Sequence, residues 1–237
     1  MNYISKRNIE FSKFKNIHEG ESAIIFCTGP SLNQFKTNKQ FDRCIKVGVN
    51  KIYGNPTISK EIDYYFFGSH YHIDEKHRLN IHKLRETNTK AVFMSSTFTA
   101  KFGDGRETGL GNINKQSSMA LGAIPFEVGA PGSGPGPGWV KEIDKYPFYG
   151  GSIAFIPVQF LLFAGVKTIY IVGADLGNSN SHFYNSSNSG LANDGATTFY
   201  KSGWKKLPDF LNKEYPDVKV CSINPVGLKG VFKDIYV

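Results

Sequence analysis

The sequence predicts an α/β fold in which a mostly parallel sheet is flanked by helices. Short apolar runs of strand length recur along the chain. Between several of them lie stretches long enough for a helix, the crossover that parallel strands require. Small or polar residues follow the apolar runs, as the floor of a pocket at one sheet edge would demand.

The first run, Ala23 to Cys27, ends in Thr28, Gly29, Pro30, Ser31 and Leu32, a turn with helix-start chemistry. Cys44 to Asn50 reads as the second strand and Tyr64 to Gly68 as the third. Ile73 to Glu86 is polar, with apolar residues at Leu79, Ile81 and Leu84, the pattern of a surface helix. Ala91 to Ser95 is the fourth strand. From Phe98 to Phe148 no period of 2 or 3.6 holds for long, and Gly129 to Gly138 is almost entirely Gly, Pro and Ser. A structureless stretch of that length does not belong inside a core, so 98–148 reads as an insertion or lid. Order returns at Gly150, Gly151 and Ser152, which lead into an apolar stretch, Ile153 to Ala164, of a length that suits a buried helix. Thr168 to Val172 is the most strand-like window, with Gly173, Ala174 and Asp175 at its end. Lys201 to Tyr215 reads as an amphipathic helix carrying Trp204, Leu207, Phe210 and Leu211, and Val218 to Ile223 as the last strand.

The chain of 237 residues is read as a single domain, 1–237, with its insertion at 98–148. No window approaches the roughly 18 uncharged apolar residues of a spanning helix. The first twenty residues lack the apolar centre of a signal peptide. Three widely spaced cysteines, Cys27, Cys44 and Cys221, argue against a disulfide framework and for a reducing, cytoplasmic setting. A formal charge of +8, from 28 Lys and Arg against 20 Asp and Glu, points to an anionic partner: nucleic acid, anionic lipid or a phosphorylated substrate.

Motifs narrow the choice. Neither a G-x-G-x-x-G fingerprint after the first strand nor a G-x-x-x-x-G-K-[ST] loop is present, which removes standard dinucleotide enzymes and P-loop NTPases. His77 and His82 are five residues apart, on different helix faces, so with His70 and His72 they read as a solvated face rather than a metal site. No Asp-x-Asp pair is placed to hold a metal against a nucleotide diphosphate. In an open parallel sheet, ligands bind outside the C-terminal strand ends. That rule selects Thr28, Gly29, Pro30, Ser31 and Leu32, Asn50, Gly68 and Ser69, Ser95 and Ser96, and Gly173 to Asp175 as the rim of one site, and Gly151 and Ser152, in the turn before the apolar helix, are further nucleotide-binding candidates. The turn at Thr28 to Ser31 combines a close-approach glycine, hydroxyls and a helix start, and so reads either as a cradle for an anion or as a strand-to-helix turn with a capping Ser31.

Taken together, these residues resemble the bacterial sialyltransferase family that uses CMP-sialic acid and folds as a modified GT-A, Rossmann-like domain. Cys27-Thr-Gly-Pro-Ser-Leu32 is similar to that family's Gly-Asn-Gly-Pro-Ser-Leu nucleotide loop. Val49-Asn50-Lys-Ile-Tyr53 is similar to its Cys-Asn-Gln-Phe-Tyr segment, whose Asn binds the nucleotide. The segment from Ala164 to Asp175 resembles its Leu-Gly-Tyr-Lys-Glu-Ile-Tyr-Leu-Ser-Gly-Ile-Asp, and Leu207 to Pro225 its closing helix, strand and turn. The skeleton also resembles pterin-pyrophosphokinase-like proteins in which a Gly-x-Asp strand end precedes a His-containing loop.

The first resemblance implies a metal-independent, cofactor-free transfer of a sialic acid-like sugar from a CMP-linked donor to a bacterial surface glycan, as in lipopolysaccharide or capsule biosynthesis. Its nucleotide would lie over Thr28 to Ser31, Asn50 and Ser152. The family's catalytic histidine precedes the closing helix, where Thr197 to Ser202 contains none, and Gly177 stands where the first phosphate-binding tyrosine would be. His182, in the loop after Asp175, is then the expected general base, with Asp175 and Tyr184 as further catalytic candidates and Tyr184 and Tyr200 as phosphate-directed hydroxyls. The implied partners are a nucleotide-sugar donor and a glycan or glycolipid acceptor, with peripheral contact to an anionic inner membrane face and a homo-oligomer both compatible. Two rivals remain: a Mg²⁺-dependent pyrophosphokinase-like phosphoryl transferase, and a non-catalytic nucleotide, glycan or RNA-binding module. Aromatic and basic residues are not interleaved as a nucleic-acid face requires, which disfavours RNA.

Overall fold

Strand β1 (Ser22–Phe26) lies inside the sheet, and the chain leaves it in both directions. On one side follow β2 (Ile45–Val49), β3 (Tyr64–Phe67), β4 (Ala91–Lys101), β6 (Ile124–Gly129) and β7 (Phe148–Tyr149). The chain then crosses back, and β8 (Thr168–Val172), β9 (Lys219–Ile223) and β10 (Lys233–Ile235) extend the other side. A short strand, β5 (Glu107–Leu110), pairs antiparallel with the far end of β4, and every other ladder is parallel. This computed structural model describes residues 8–68, 87–101, 107–110, 122–129, 138–146, 148–177, 182–183 and 194–237. The expected surface helix at 73–86 lies outside them.

The strands are apolar along their length because both faces of the sheet are covered. Alternate residues serve opposite layers. Ile25, Val47, Tyr64 and Phe66 face a core shared with helix α1 (Phe155–Phe163) and helix α2 (Asp194–Glu214), while Ile24, Phe26, Tyr65 and Phe67 face a second core with Leu32, Phe41 and Ile52. In the first layer the Phe93 ring stacks on Phe66 with centroids 4.5 Å apart and meets Phe11, Phe14 and Phe160. Truncating such a ring to Ala costs about 3–5 kcal/mol.

Helix α1 is buried on every side, as its largely apolar sequence predicts. Its one polar residue, Gln159, is fully satisfied. Nε2 donates to the carbonyls of Tyr149 (3.2 Å) and Phe155 (3.0 Å), and Oε1 accepts from the amides of Tyr149 (2.9 Å) and Val140 (3.2 Å). Gln159 thereby ties β7 and the segment before it to the helix. Among the described residues no helix is long and apolar enough to cross a membrane.

Two readings of the sequence change. The 98–148 stretch holds part of β4, all of β5 and β6, and the start of β7, so it builds one wing of the sheet. Pro125 and the buried Glu127 hide β6 from a hydrophobic pattern. Helix α2 starts at Asp194 rather than Lys201, because Gly195, Thr197, Thr198 and Gly203 are weak helix formers whose segment is held by Trp204 and Leu207 packing.

Candidate functional site

The strand order reverses between β1 and β8, which pair in register from Ser22↔Thr168 to Phe26↔Val172. Connections from these two strands run to opposite sides, and a crevice outside their C-terminal ends is where open α/β sheets bind ligands. Thr28 to Ser31 leaves β1 at this point, and Gly173 to Asp175 leaves β8.

The two turns are locked together. The Gly29 amide donates to the Gly173 carbonyl at 2.8 Å, and a Cβ on Gly29 would lie 2.5 Å from that oxygen and 2.6 Å from the Asp175 carboxyl carbon. No side chain fits there. The Ser31 amide donates to Asp175 Oδ2 at 2.8 Å and the Ser31 hydroxyl to Oδ1 at 2.5 Å, with both residues buried. Asp175 thus caps the short 3₁₀ helix Pro30–Gln34 from across the sheet. The expectation that this turn cradles an external anion is corrected accordingly. The amides of Gly29, Ser31 and Leu32 all bond within the protein, Pro30 has none, and the negative charge the turn accommodates is that of Asp175.

Asn50 heads a second turn, Asn50–Gly54, beyond β2, with φ of +48°. Asn tolerates this left-handed conformation better than most residues. Its Oδ1 accepts from the Gly68 amide at 2.9 Å, which fixes the carboxamide; among the described residues nothing accepts from its Nδ2. The buried Tyr65 hydroxyl supports the turn, donating to the Asn50 carbonyl at 2.7 Å and accepting from the Tyr53 amide at 2.5 Å. The sequence reads Tyr64 to Gly68 only as a strand, and nothing in a YYFF run distinguishes the tyrosine whose hydroxyl reaches the neighbouring turn. Gly68 also lies against Ile153, so the start of the α1 segment joins this rim.

His182 comes back over β1. Its Nδ1 is 3.1 Å from the Thr28 hydroxyl, and the neighbouring Phe183 amide donates to the Thr28 carbonyl at 2.9 Å. Burial lowers the imidazole pKa below its ordinary 6.5; hydrogen bonding to the Thr28 backbone opposes this, and the charge of Lys51 adds to it. The Thr28 hydroxyl can accept from or donate to Nδ1 according to the ring's tautomer; with the proton on Nδ1, the basic lone pair is on Nε2. Lys51 is the other residue the sequence reading passed over. The signal was present in the Val49-Asn50-Lys-Ile-Tyr53 segment, where a lysine stands beside the Asn.

The remaining candidates are placed less centrally. Gly151 has φ of +118° and lies against the ring of Phe199 on α2, which a Cβ would strike. The Ser152 hydroxyl accepts from the Ala154 amide at 3.3 Å and its carbonyl from Phe155 at 3.1 Å, so Ser152 serves the start of α1. Tyr200, next to Phe199, has its phenol pKa raised by burial. Ser69 and Tyr184, like His70, His72, His77 and His82, lie outside the described residues. Cys27 beside Asp175 is buried, with its thiol pushed up to about 12 by burial and then by that carboxylate, and all three cysteines are free. Among the described residues no three His, Cys, Asp or Glu side chains gather as a metal site would require.

No family model matches this chain, and no curated protein sequence matches it. Solved structures do match in fold. The chain is similar to the sialyltransferase CST-II in complex with a trisaccharide acceptor and CMP, at 14% identity and a TM-score of 0.54, over 91% of this chain and 86% of that one. It is also similar to a single-residue, tyrosine-to-phenylalanine variant of CST-II in complex with CMP, at 13% identity and a TM-score of 0.50 over the same shares. The α/β class read from the sequence, a mostly parallel sheet flanked by helices, is therefore both observed and shared with these sialyltransferase folds.

Proposed function

We propose that this protein is a metal-independent glycosyltransferase that moves a sialic acid-like sugar from a CMP-linked donor to a bacterial surface glycan or glycolipid. The observation that carries the reading is that the turns after the parallel neighbours β1 and β2 leave one sheet edge, one with an Asn50 carboxamide fixed by Gly68 and the other with Thr28 bonded to the His182 imidazole. The similar CST-II structures, which hold CMP and a trisaccharide acceptor, support the same ligand classes for this chain.

In this reading Asn50 Nδ2 donates to the nucleotide. His182 Nε2 accepts the proton of the acceptor hydroxyl as its oxygen bonds to the sugar's anomeric carbon. The bond from that carbon to the donor phosphate breaks, with its electron pair going to the phosphate oxygen. Tyr200, and Tyr184 by sequence, supply hydroxyls toward the phosphate. Asp175 touches no reacting atom in this scheme and is a positioning residue that holds the two turns together. The segments between strands within 98–148 recognise the acceptor. A net charge of +8 favours an anionic, lipid-linked acceptor at the inner face of a membrane, with the protein on the cytoplasmic side.

The test is release of CMP from a CMP-linked sialic acid in the presence of glycan acceptors, with EDTA or with Mg²⁺. Acceptor-dependent CMP release that survives EDTA is expected. Activity that requires Mg²⁺ and consumes ATP would replace this reading with phosphoryl transfer, and binding without turnover would replace it with a binding module.

A further inference from the structure

We propose that Lys51 holds the donor's phosphate and stabilises it as it leaves, an assignment that rests on the transferase reading above. A nucleotide sugar carries its phosphate between the nucleoside and the reacting sugar carbon. A positive charge between the group that binds the nucleoside and the group that takes the acceptor's proton would add to the tyrosine hydroxyls in stabilising that phosphate. The turn after β1, where sequence alone puts an anion, is not that place, since its amides are bonded internally and Asp175 already fills it with negative charge.

Lys51 is the candidate for that charge. Strands β1 and β2 are parallel neighbours, paired as far as Phe26 opposite Gly48, so the turns that follow them, carrying Thr28 and Asn50, leave the same edge of the sheet. Lys51 is the next residue, held in the Asn50–Gly54 turn at φ −81° and ψ 15° and half-buried. It follows Asn50, whose carboxamide is fixed by Gly68, and the turn after the neighbouring strand carries Thr28, which bonds His182. The field of Lys51 reaches the imidazole: after burial, it is the cause that lowers the His182 pKa, against the hydrogen bond to Thr28. Among the described rim segments 28–34, 50–54, 150–153, 173–177, 182–183 and 197–200, Lys51 is the one Lys or Arg.

The chemistry needs no proton from Lys51. As the bond to the sugar carbon breaks, the electron pair stays on the phosphate oxygen and the phosphate gains negative charge. An ammonium fixed beside it binds the leaving state more tightly than the bound donor, which is the condition for lowering the barrier. The same charge disfavours a second cation nearby, which keeps His182 in the neutral form a general base needs.

Calorimetric titration of CMP and of cytidine into the wild-type protein and Lys51→Met tests the assignment, because the ligands differ only in the phosphate. Loss of roughly ten- to a hundredfold in CMP affinity, with cytidine affinity unchanged, is expected for removal of one charge-assisted contact. Lys51→Arg should retain the preference for CMP, and Lys51→Gln gives the same readout as Met should that variant fold poorly. In the ligand-free protein the His182 resonance should titrate at higher pH once the Lys51 charge is gone. A neutral variant that keeps the wild-type ratio of CMP to cytidine affinity overturns the Lys51 assignment and leaves the transferase reading standing. A wild-type protein that binds neither ligand removes both.

Discussion

Asp175 and Ser31, 144 residues apart in sequence, form a buried two-point contact in which one carboxylate accepts both the amide (2.8 Å) and the hydroxyl (2.5 Å) of the serine. The pair closes the two strands that flank the switch point against each other. A carboxylate with both oxygens engaged in this way is a clamp on the shape of the rim.

Asp175→Asn should therefore act first on stability. Replacing the carboxylate with an amide weakens two charge-assisted bonds and turns a donor toward one of the Ser31 donors, a cost of about 1.5–3 kcal/mol. Urea unfolding reads it directly, and a double-mutant cycle with Ser31→Ala should show strong coupling between the two sites. An unmoved unfolding midpoint for Asp175→Asn would reject the clamp.

Asn50 contributes a turn and a carboxamide, and two substitutions separate them. Asn50→Gly keeps the left-handed backbone at φ +48° and removes only the side chain, so it should cost about 1 kcal/mol of CMP affinity, somewhat more with the contact buried. Asn50→Ala should lose the same affinity and also strain the turn that Tyr65 supports. Calorimetry on the Gly variant decides: an unchanged CMP affinity takes Asn50 out of the nucleotide site.

His182→Ala should lower turnover by about two to four orders of magnitude with little change in donor affinity, the pattern of a lost general base. Because burial and the Lys51 charge lower its pKa, the imidazole stays neutral somewhat below 6.5, and kcat should hold its plateau to that lower pH before falling on the acid side. The sign for stability follows from the same shift. The unfolded chain takes up this proton more readily than the native one, so the stabilisation is present above 6.5 and is lost as pH falls through the folded value. A variant with near-normal turnover at saturating substrate would transfer the role elsewhere.

Strands β1 to β3, the first half of β4, β8 and β9 were legible because each is a short apolar run ended by turn residues, and α1 because its apolar run is too long for a strand. Strand β6 was not: Pro125 and Glu127 interrupt its pattern, and its environment, set by β4 and β7, exists only in the folded sheet. Strand β10 is three residues of mixed polarity, held to β9 by parallel pairing and by the Asn224 carboxamide gripping Val237. At the site, the strand-end rule points to the turns after β1, β2 and β8, but not to what their side chains bond. Nothing local to Ser31 reveals that its donors are consumed by a carboxylate 144 residues away, and nothing local to Tyr65 reveals a hydroxyl under Asn50.

The account stands or falls on where the nucleotide lies, which a crystal of this protein soaked with CMP and no added metal reports directly. The expected density spans the β1/β8 switch point, with the cytidine reached by Asn50 Nδ2 and the phosphate between Lys51 and His182. Density for CMP elsewhere on the protein, or none at a concentration that saturates binding in solution, would contradict it.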